Sequence, residues 1–305
     1  MEVLDAQPQS EPQSLIIQQE EKIDVYEDGF VRLNSVTTTT ATPEHVMFDN
    51  ITKNSKKGIP FLHQMPYFKQ VKDKNERIAI VGGGPSLKDN LEELKKFNVI
   101  IAAGSVHDYL VENGIVPSFA TACDPDPITA NYFSKPMNNT TYLIATGCDE
   151  KVFEVLQGKN IVVWHCYSDA SREKFLELDP NFQAVGGGCT VGLRSISIAI
   201  MLGYTNLNFF GFDSCLGYNS EHHAYGFTDE SEYAGLGTIY KMRLGEDKPT
   251  SRTYEVAGYQ LAQARHYQQF WETYGNMFTA TFYGEGLLPE LAKMMEDHKQ
   301  RTLNL

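Results

Sequence analysis

The chain has 305 residues, of which 42% are hydrophobic and 21% charged, and its formal net charge at pH 7 is -13. A chain of this length can bury a full core, and its negative charge excludes a surface that follows nucleic acid by bulk electrostatic attraction. No apolar run is long enough to span a bilayer and the N-terminus lacks the pattern of a signal peptide, so we expect a cytoplasmic protein without a membrane span.

The N-terminal quarter of the chain does not carry a catalytic pattern. Residues 1–20 are rich in Gln, Pro, Ser and Glu, a composition that predicts a disordered tail. Residues 21–76 contain short strand-like pieces, and we expect an extension that packs on the main domain or joins the chain into a homo-oligomer or a larger assembly.

From Arg77 onward, apolar runs alternate with helical segments. This alternation predicts an α/β fold, with a Rossmann-like doubly wound, mostly parallel sheet and helices on both faces. Strands are expected at 78–81, 99–103, 119–123, 142–146, 161–165 and 207–210, and helices at 89–97, 106–113, 150–157, 170–178 and 190–202. The domain would span 77–250, with a loop at 214–250. Residues 251–305 would pack on the same domain as a helix at 254–274, a strand at 277–281 and a helix at 287–298.

A glycine-rich turn follows the first apolar strand of this domain. Its residues are Gly82, Gly83, Gly84, Pro85 and Ser86. Ser86 is the predicted N-cap of the next helix, and bare backbone beside a helix N-terminus suits a phosphate. Leu87 stands where G-x-G-x-x-G requires its third glycine, and G-x-x-x-x-G-K-[ST] is absent. The turn is therefore either a nucleotide site or a tight link from strand to helix.

Small and acidic residues also follow other predicted strands, where ligands bind in open α/β sheets. Gly104 and Ser105 end the second strand, and Asp124-Pro125-Asp126 follows the third. The carboxylates of Asp124 and Asp126 could share one Mg²⁺ ion, or each could form an Asx turn. Asp213, after the sixth strand, could join Asp124 around a cation or a ribose, or cap a turn.

A second glycine-rich turn precedes an apolar helix at 190–202. Gly187 and Gly188 lead to Thr190, a natural N-cap, so this turn is either a second anion site or a place where the helix packs closely on the sheet. His222 and His223 follow in the next loop. They could shuttle a proton or bind phosphate, or lie exposed without a role.

Several of these blocks, taken in order, resemble the 6-hydroxymethylpterin diphosphokinase MptE-like domain. The blocks are V-G-G-G-P-S-L at 81–87, A-A-G-S at 102–105, G-I-V-P-S-F at 114–119, C-D-P at 123–125, G-G-C-T-V at 187–191, L-G-Y at 202–204, G-F-D at 211–213 and H-H-A at 222–224. The resemblance covers about half of the chain, from 77 to 226. It implies a Rossmann-like transferase. Archaeal members move diphosphate from ATP to a pterin alcohol with Mg²⁺, and bacterial relatives include flagellin-glycosylating motility accessory factors.

A more distant resemblance is to the family 42 sialyltransferases, which carry a G-N-G-P-S-L block and use CMP-sialic acid. Here Gly83 replaces the Asn of that block, and Gly104-Ser105 and Asp124 stand where those enzymes place two further Asn residues. Their catalytic histidine falls nearest to Thr250. The resemblance implies a nucleotide-binding frame, and these departures weigh against the sialyltransferase mechanism.

Together, the residues and the resemblance predict a nucleotide-dependent transferase that moves diphosphate from ATP to a small hydroxymethyl acceptor. Asp124, Asp213, His222 and His223 are the candidate catalytic residues, and Asp124 and Asp126 would hold Mg²⁺. The nucleotide would contact Gly82, Gly83, Gly84, Pro85, Ser86, Gly104, Ser105, Gly187, Gly188 and Thr190. Two alternatives stay open at this point: a glycosyltransferase that uses a CMP- or UDP-sugar, and a non-catalytic nucleotide-binding or assembly module.

Overall fold

The computed structural model describes residues 42–65, 76–225, 239–244 and 252–303, together with the backbone of 17–22. The strands are β1 (Ile17–Lys22), β2 (Arg77–Val81), β3 (Val99–Ala103), β4 (Phe119–Ala122), β5 (Thr141–Ala145), β6 (Asn160–Cys166), β7 (Ala184–Val185), β8 (Asn206–Phe210), β9 (Ile239–Arg243), β10 (Thr253–Ala257) and β11 (Thr279–Tyr283). The α-helices are α1 (Glu44–Asn54), α2 (Leu91–Leu94), α3 (Val106–Glu112), α4 (Glu150–Val155), α5 (Asp169–Leu178), α6 (Val191–Met201), α7 (Gly258–Tyr274) and α8 (Leu287–Leu303).

The main sheet has eight strands in the order β11-β8-β2-β3-β4-β5-β6-β7, and every pair of neighbours is parallel. Its central strands are apolar because both faces are covered by helices, as in other parallel sheets. Residues Ile78 to Val81 of β2, for example, are fully buried. This architecture confirms the predicted α/β Rossmann-like fold.

The order of the strands reverses beside β2. From β2 the chain adds β3 to β7 in one direction, and α6 then returns it across the sheet to β8, on the other side of β2. In doubly wound sheets, such a reversal opens a crevice at the carboxyl ends of the two strands. The turn at 82–84 and the residues after Phe210 therefore meet at the place where ligands bind in this class of fold.

The segment after the first glycine turn differs from the predicted helix at 89–97. Pro85–Asp89 is a 3-10 helix whose N-cap is Gly84, and the short α2 begins only after Asn90. Ser86 lies inside the 3-10 helix, so its prediction as an N-cap was wrong. Its hydroxyl instead donates a hydrogen bond to Asp213, which lies 127 positions away in the sequence.

Other differences concern short strands. Residues 253–257 form β10 where a helix was expected from 254, because Tyr254 and Val256 are buried at a spacing of two. β9 lies in the predicted loop 214–250 and pairs antiparallel with β10. The rest of that loop from 226 to 238 and from 245 to 251, including Thr250, lies outside the described residues.

The N-terminal extension contacts the main domain through α1. The side-chain amide of Asn50 donates to the carbonyl of Gly147 at 3.2 Å, and that of Asn54 donates to the carbonyls of Thr146 and Cys148 at 2.9 and 2.8 Å. These bonds fasten α1 to the turn after β5. Farther upstream, β1 pairs parallel with β9, so residues 17–20, which we expected to be disordered, form part of a strand. Residues 1–16 and 23–41 lie outside the described part of the chain.

Two further features of the structure concern the cysteines and the character of the helices. All five cysteines are free thiols. Among the helices of the described residues, none has both the length and the apolar character that crossing a membrane requires.

Candidate ligand-binding site

A cavity of about 870 Å³ runs along the carboxyl edge of the main sheet. Its wall includes residues from the turns after β8, β2, β3, β4, β5 and β6: Asp213, Gly83, Gly104, Asp124, Gly147 and Ser168. Neighbouring strands lie about 4.8 Å apart, so a cavity that reaches from β8 to β6 is roughly 24 Å long. This length and volume suit a nucleotide together with a second small molecule.

The cavity brings together most of the residues that the sequence singled out. Those that line it are Gly82, Gly83, Gly84, Gly104, Ser105, Asp124, Thr190, Asp213, His222 and His223. Pro85, Ser86, Asp126, Gly187 and Gly188 are not part of its wall.

The two turns at the strand reversal are locked together through their backbones. The amide of Gly82 donates to the carbonyl of Phe210 at 2.8 Å, and the amide of Gly84 donates to that of Gly211 at 2.9 Å. Gly211 has a φ of +63°, and a Cβ built on Gly84 would lie 2.7 Å from the carbonyl oxygen of Gly211. The chain needs glycine here because the two backbones pass too closely for side chains.

Asp213 occupies the anion position at the start of the 3-10 helix. Its Oδ2 accepts the backbone N–H of Ser86 at 2.7 Å, and its Oδ1 accepts the Ser86 hydroxyl. The side chain is 3% exposed, and burial raises its pKa to about 6 against the opposing effect of the Ser86 hydrogen bonds. The first glycine turn therefore binds a carboxylate of the protein itself, and the Ser86 amide is not free for a phosphate.

The second glycine-rich turn leaves donors free at the start of α6. Thr190 is the N-cap, as predicted, and its Oγ1 accepts the amide of Leu193 at 3.3 Å. Among the described residues, no group accepts the amides of Val191 or Gly192, and both residues line the cavity. Arg194 lies one turn farther along and also lines the cavity, and its Nη1 donates to the carbonyl of Val185 at 2.8 Å. The free amides and the positive end of the helix dipole make this the stronger anion site of the two turns.

Gln263 of α7 connects the second glycine-rich turn to the turn after β8. The sequence alone did not identify this residue. Its Nε2 donates to Thr190 Oγ1 at 3.2 Å, and its Oε1 accepts the hydroxyl of Ser214 at 2.8 Å. Ser214 has a φ of +50°, which non-glycine residues adopt mainly where surrounding contacts hold them. These partners are 73 and 49 positions away in the sequence, so no local pattern marks Gln263.

The two carboxylates after β4 form consecutive Asx turns. Asp124 Oδ1 accepts the amide of Asp126 at 2.9 Å, and Asp126 Oδ1 accepts that of Ile128 at 2.9 Å, which caps the 3-10 helix Pro127–Phe133. Asp126 is thus committed to a cap outside the cavity wall. Asp124 reaches the cavity, where desolvation by the surrounding protein raises its pKa. Among the described residues, no three His, Cys, Asp or Glu side chains are grouped as metal ligands.

His222 and His223 lie against the first glycine turn. Their rings are 4.0 Å apart and perpendicular, and the amide of Ala224 donates to the carbonyl of Gly83 at 2.9 Å. Burial lowers the pKa of His222 to about 4 and that of His223 to about 3. Both imidazoles are therefore neutral at pH 7, so they can accept a proton but carry no positive charge toward a ligand.

Comparison with known proteins identifies the class that this fold and cavity define. The 6-hydroxymethylpterin diphosphokinase MptE-like family matches residues 47–219, more than half of the chain. The chain therefore belongs to this family, as its ordered sequence blocks indicated. The match begins within α1, upstream of the region in which the resemblance was recognised from the sequence.

Solved structures with a similar fold include the Maf glycosyltransferase from Magnetospirillum magneticum AMB-1. Its TM-score is 0.54 at 17% identity, and the alignment covers 80% of this chain and 42% of that chain. The sialyltransferase CstII from Campylobacter jejuni aligns over 72% of this chain and 87% of its own, at 17% identity, but its TM-score of 0.38 is too low to establish a common fold. A search of curated proteins found no significant match. The family supports a transferase, and the first of these structures shows a similar fold.

Proposed function

We propose that the protein is a nucleotide-dependent transferase that moves diphosphate from ATP to a small hydroxymethyl acceptor. The observation that carries this proposal is the cavity at the strand reversal, which has free helix N-terminal amides at one wall in a member of a diphosphokinase-like family. Catalysis of phosphoryl-type transfer consists mostly of positioning and charge neutralisation, and the cavity wall offers both.

The phosphates would lie at the start of α6 rather than at the first glycine turn. The amides of Val191 and Gly192 and the guanidinium of Arg194 would bind phosphate oxygens, while the amides of Gly82 and Gly84 already donate to Phe210 and Gly211. The first turn would instead form a rigid wall, held in place by Asp213, against which the ligand rests.

In the proposed reaction, the acceptor oxygen attacks the β-phosphorus of ATP. The bond from that phosphorus to the oxygen bridging it to the α-phosphorus breaks, AMP leaves with the bond's electron pair, and the acceptor hydroxyl loses its proton. His222 or His223 would receive this proton, because both are neutral at pH 7. Bound phosphate would raise their low pKa values toward the range in which a base works well.

Asp124 is the residue best placed to hold Mg²⁺. Its Oδ2 has no hydrogen-bond partner among the described residues, whereas Asp126 caps a helix and both oxygens of Asp213 are bound to Ser86. One carboxylate together with phosphate oxygens is a common Mg²⁺ site. When bound, Mg²⁺ would neutralise charge on the phosphates.

Incubation with ATP, Mg²⁺ and 6-hydroxymethylpterin tests the function. The proposal requires stoichiometric AMP and a pterin diphosphate among the products. A second candidate, favoured by the fold shared with the Maf glycosyltransferase, is glycosyl transfer. Parallel reactions with CMP- and UDP-sugars would then release CMP or UDP in the presence of an acceptor. Release of none of the three nucleotides would favour the non-catalytic module.

Asp124→Asn should abolish the contribution of Mg²⁺ to ATP binding, about a tenfold loss of affinity or ~1.4 kcal/mol. Asparagine keeps an oxygen that can accept the Asp126 amide, so the turn should survive while the charge is lost. Calorimetric titration with ATP, with and without Mg²⁺, measures the effect. Asp126→Asn is the matched control and should bind as wild type does. Equal losses in both variants, or none in Asp124→Asn, would contradict the assignment.

A further inference from the structure

Two cysteine thiols meet in the wall of the cavity, at the ends of β4 and β6. Cys123 directly follows β4, Cys166 is the last residue of β6, and both are half-buried and line the cavity. The thiol of Cys123 donates a hydrogen bond to the sulfur of Cys166, although β5 lies between the two strands. The two sulfur atoms are therefore in contact, and both can be reached from the cavity.

A guanidinium is fixed beside this pair of thiols. Val185 is the ladder partner of Cys166 at the end of β6. Its carbonyl accepts hydrogen bonds from the amide of Tyr167 at 3.0 Å and from Nη1 of Arg194 at 2.8 Å. Arg194 also lines the cavity and interacts electrostatically with both thiols. Its positive charge therefore lies where it can stabilise a thiolate.

The two thiols differ in how readily they lose a proton. The hydrogen bond from Cys123 lowers the pKa of the Cys166 thiol against the opposing effect of burial, and the charge of Arg194 lowers it further. The same hydrogen bond, together with burial, holds the pKa of Cys123 well above the usual value for a thiol. Of the other groups nearby, Asp124 acts against Arg194, and burial raises the pKa of Cys148. Cys166 is therefore the thiolate of the pair, and Cys123 keeps its proton.

We propose that Cys166 and Cys123 form a redox-sensitive modification site in the cavity wall, at which hydrogen peroxide oxidises the two thiols to a disulfide. Cysteines that sense oxidants present an accessible thiolate in electropositive surroundings, with a second thiol beside it. The contact of the two sulfur atoms, the position of Arg194 and the opening of both thiols to the cavity meet these requirements. Hydrogen peroxide is small and uncharged, so it can enter the cavity. The proposal holds whichever reaction the cavity serves.

The oxidation proceeds in two steps. The Cys166 thiolate attacks one peroxide oxygen, the O–O bond breaks, and hydroxide leaves with the electron pair, so that Cys166 becomes a sulfenic acid. Because Cys166 is then uncharged, it no longer holds the proton on Cys123. The sulfur of Cys123 attacks that of Cys166, the S–O bond breaks, and the leaving hydroxide takes the proton of Cys123 and departs as water. Overall, two thiols lose two electrons and two protons, and the peroxide is reduced to two molecules of water.

Disulfide formation changes the wall of the cavity. A disulfide holds its sulfur atoms about 2.05 Å apart, closer than two thiols in contact, so the ends of β4 and β6 must approach each other across β5. Cys123 is followed by Asp124, which also lines the cavity. Oxidation therefore moves Asp124 and switches the site between two shapes.

Peptide mapping by mass spectrometry tests the proposal, after the reduced protein has been treated with hydrogen peroxide and dimedone, which captures sulfenic acids. Wild type should form the disulfide between Cys123 and Cys166. In Cys123→Ser, a hydroxyl still donates to Cys166 but no disulfide can form, so dimedone should label Cys166. In Cys166→Ser, neither product should form. The matched control is Cys189→Ser, which removes another half-buried thiol of the cavity and should form the disulfide as wild type does.

Alkylation of wild type by iodoacetamide at pH 7 measures the reactivity of Cys166 without an oxidant and without a substitution that could impair folding. Cys166 should react about tenfold faster than Cys189, because the thiolate is the nucleophilic form of cysteine. Unfolding the protein in urea before labelling should abolish this difference. Absence of the disulfide in oxidised wild type, or equal alkylation rates of the two cysteines in the folded protein, would overturn the proposal. Labelling of Cys123 by dimedone in Cys166→Ser would overturn it as well.

Discussion

Gly211→Ala is expected to lower the free energy of unfolding by about 3 kcal/mol or more. Gly211 has a φ of +63°, which costs alanine about 1 kcal/mol, and overpacking adds roughly 1–3 kcal/mol. A Cβ at this position would lie 2.4 Å from the carbonyl oxygen of Gly82 and 3.0 Å from the amide nitrogen of Gly84. Both are backbone atoms in a paired turn and cannot rotate away. Urea unfolding of the purified variant measures the loss.

Gly114→Ala separates the clash from the backbone strain. Gly114 has a φ of +74°, but a Cβ there would meet no atom within 4 Å. Its substitution should therefore cost only about 1 kcal/mol. Equal destabilisation of the two alanine variants would mean that the clash with the backbone of Gly82 adds nothing to the cost of the positive φ. The backbones of the two turns would then not hold each other rigidly.

The main sheet could be predicted because its signal is local. Runs such as Ile78 to Val81 are apolar at every position, which is typical of strands buried on both faces, and helical segments separate them. Since the carboxyl ends of parallel strands lie on one edge, the sequence also indicated that Gly83, Asp124 and Asp213 share a cavity. These inferences need only the direction of each strand.

The hydrogen bonds that define the site could not be predicted in the same way. Whether a turn has free amides depends on partners far along the chain, as the bonds from Ser86 to Asp213 illustrate over 127 positions. The sequence treated the two glycine turns as equivalent anion sites, yet one is filled by Asp213 and the other is open at Val191 and Gly192. The part of the cavity wall that α1 forms depends likewise on its docking at Gly147.

Lowering the pH from 7 to 4 is expected to destabilise the protein, because one buried and two half-buried histidines are held neutral. Burial, followed by the charge of His63, lowers the pKa of His165 from 6.5 to about 4, and burial lowers those of His222 and His223 to about 4 and about 3. Between about pH 6.5 and 4, the unfolded chain binds protons at these positions and the folded chain does not, so stability falls as the pH falls. For His165, 4% exposed, the loss is at most about 3 kcal/mol.

Two carboxyl groups oppose this trend without reversing it. Burial raises the pKa of Asp213 to about 6 and raises that of Asp124, so the folded chain takes up protons at these groups before the unfolded chain does. Acidification through that range therefore favours the folded state at Asp213 and Asp124. Because the pKa values of three histidines are lowered from 6.5, to about 4, about 4 and about 3, the net effect remains a loss of stability in acid.

His165→Gln tests the contribution of one histidine to the loss of stability in acid. His165 is the most deeply buried of the three, at 4% exposed. His165 bonds Thr146 Oγ1 at 2.8 Å through Nδ1 and lies 4.4 Å from the ring of Phe175. The variant loses the ring contact with Phe175 and should therefore be less stable than wild type at pH 7. Because glutamine does not titrate, its free energy of unfolding should fall less steeply than that of wild type between pH 6.5 and 4. Urea unfolding across this range measures the slope, with the exposed His45→Gln as a control that should keep the wild-type slope. The opposite result would be a variant whose free energy of unfolding depends on pH as steeply as that of wild type. It would mean that the folded protein protonates His165 as readily as the unfolded chain does, so that packing against Phe175 does not keep the ring neutral.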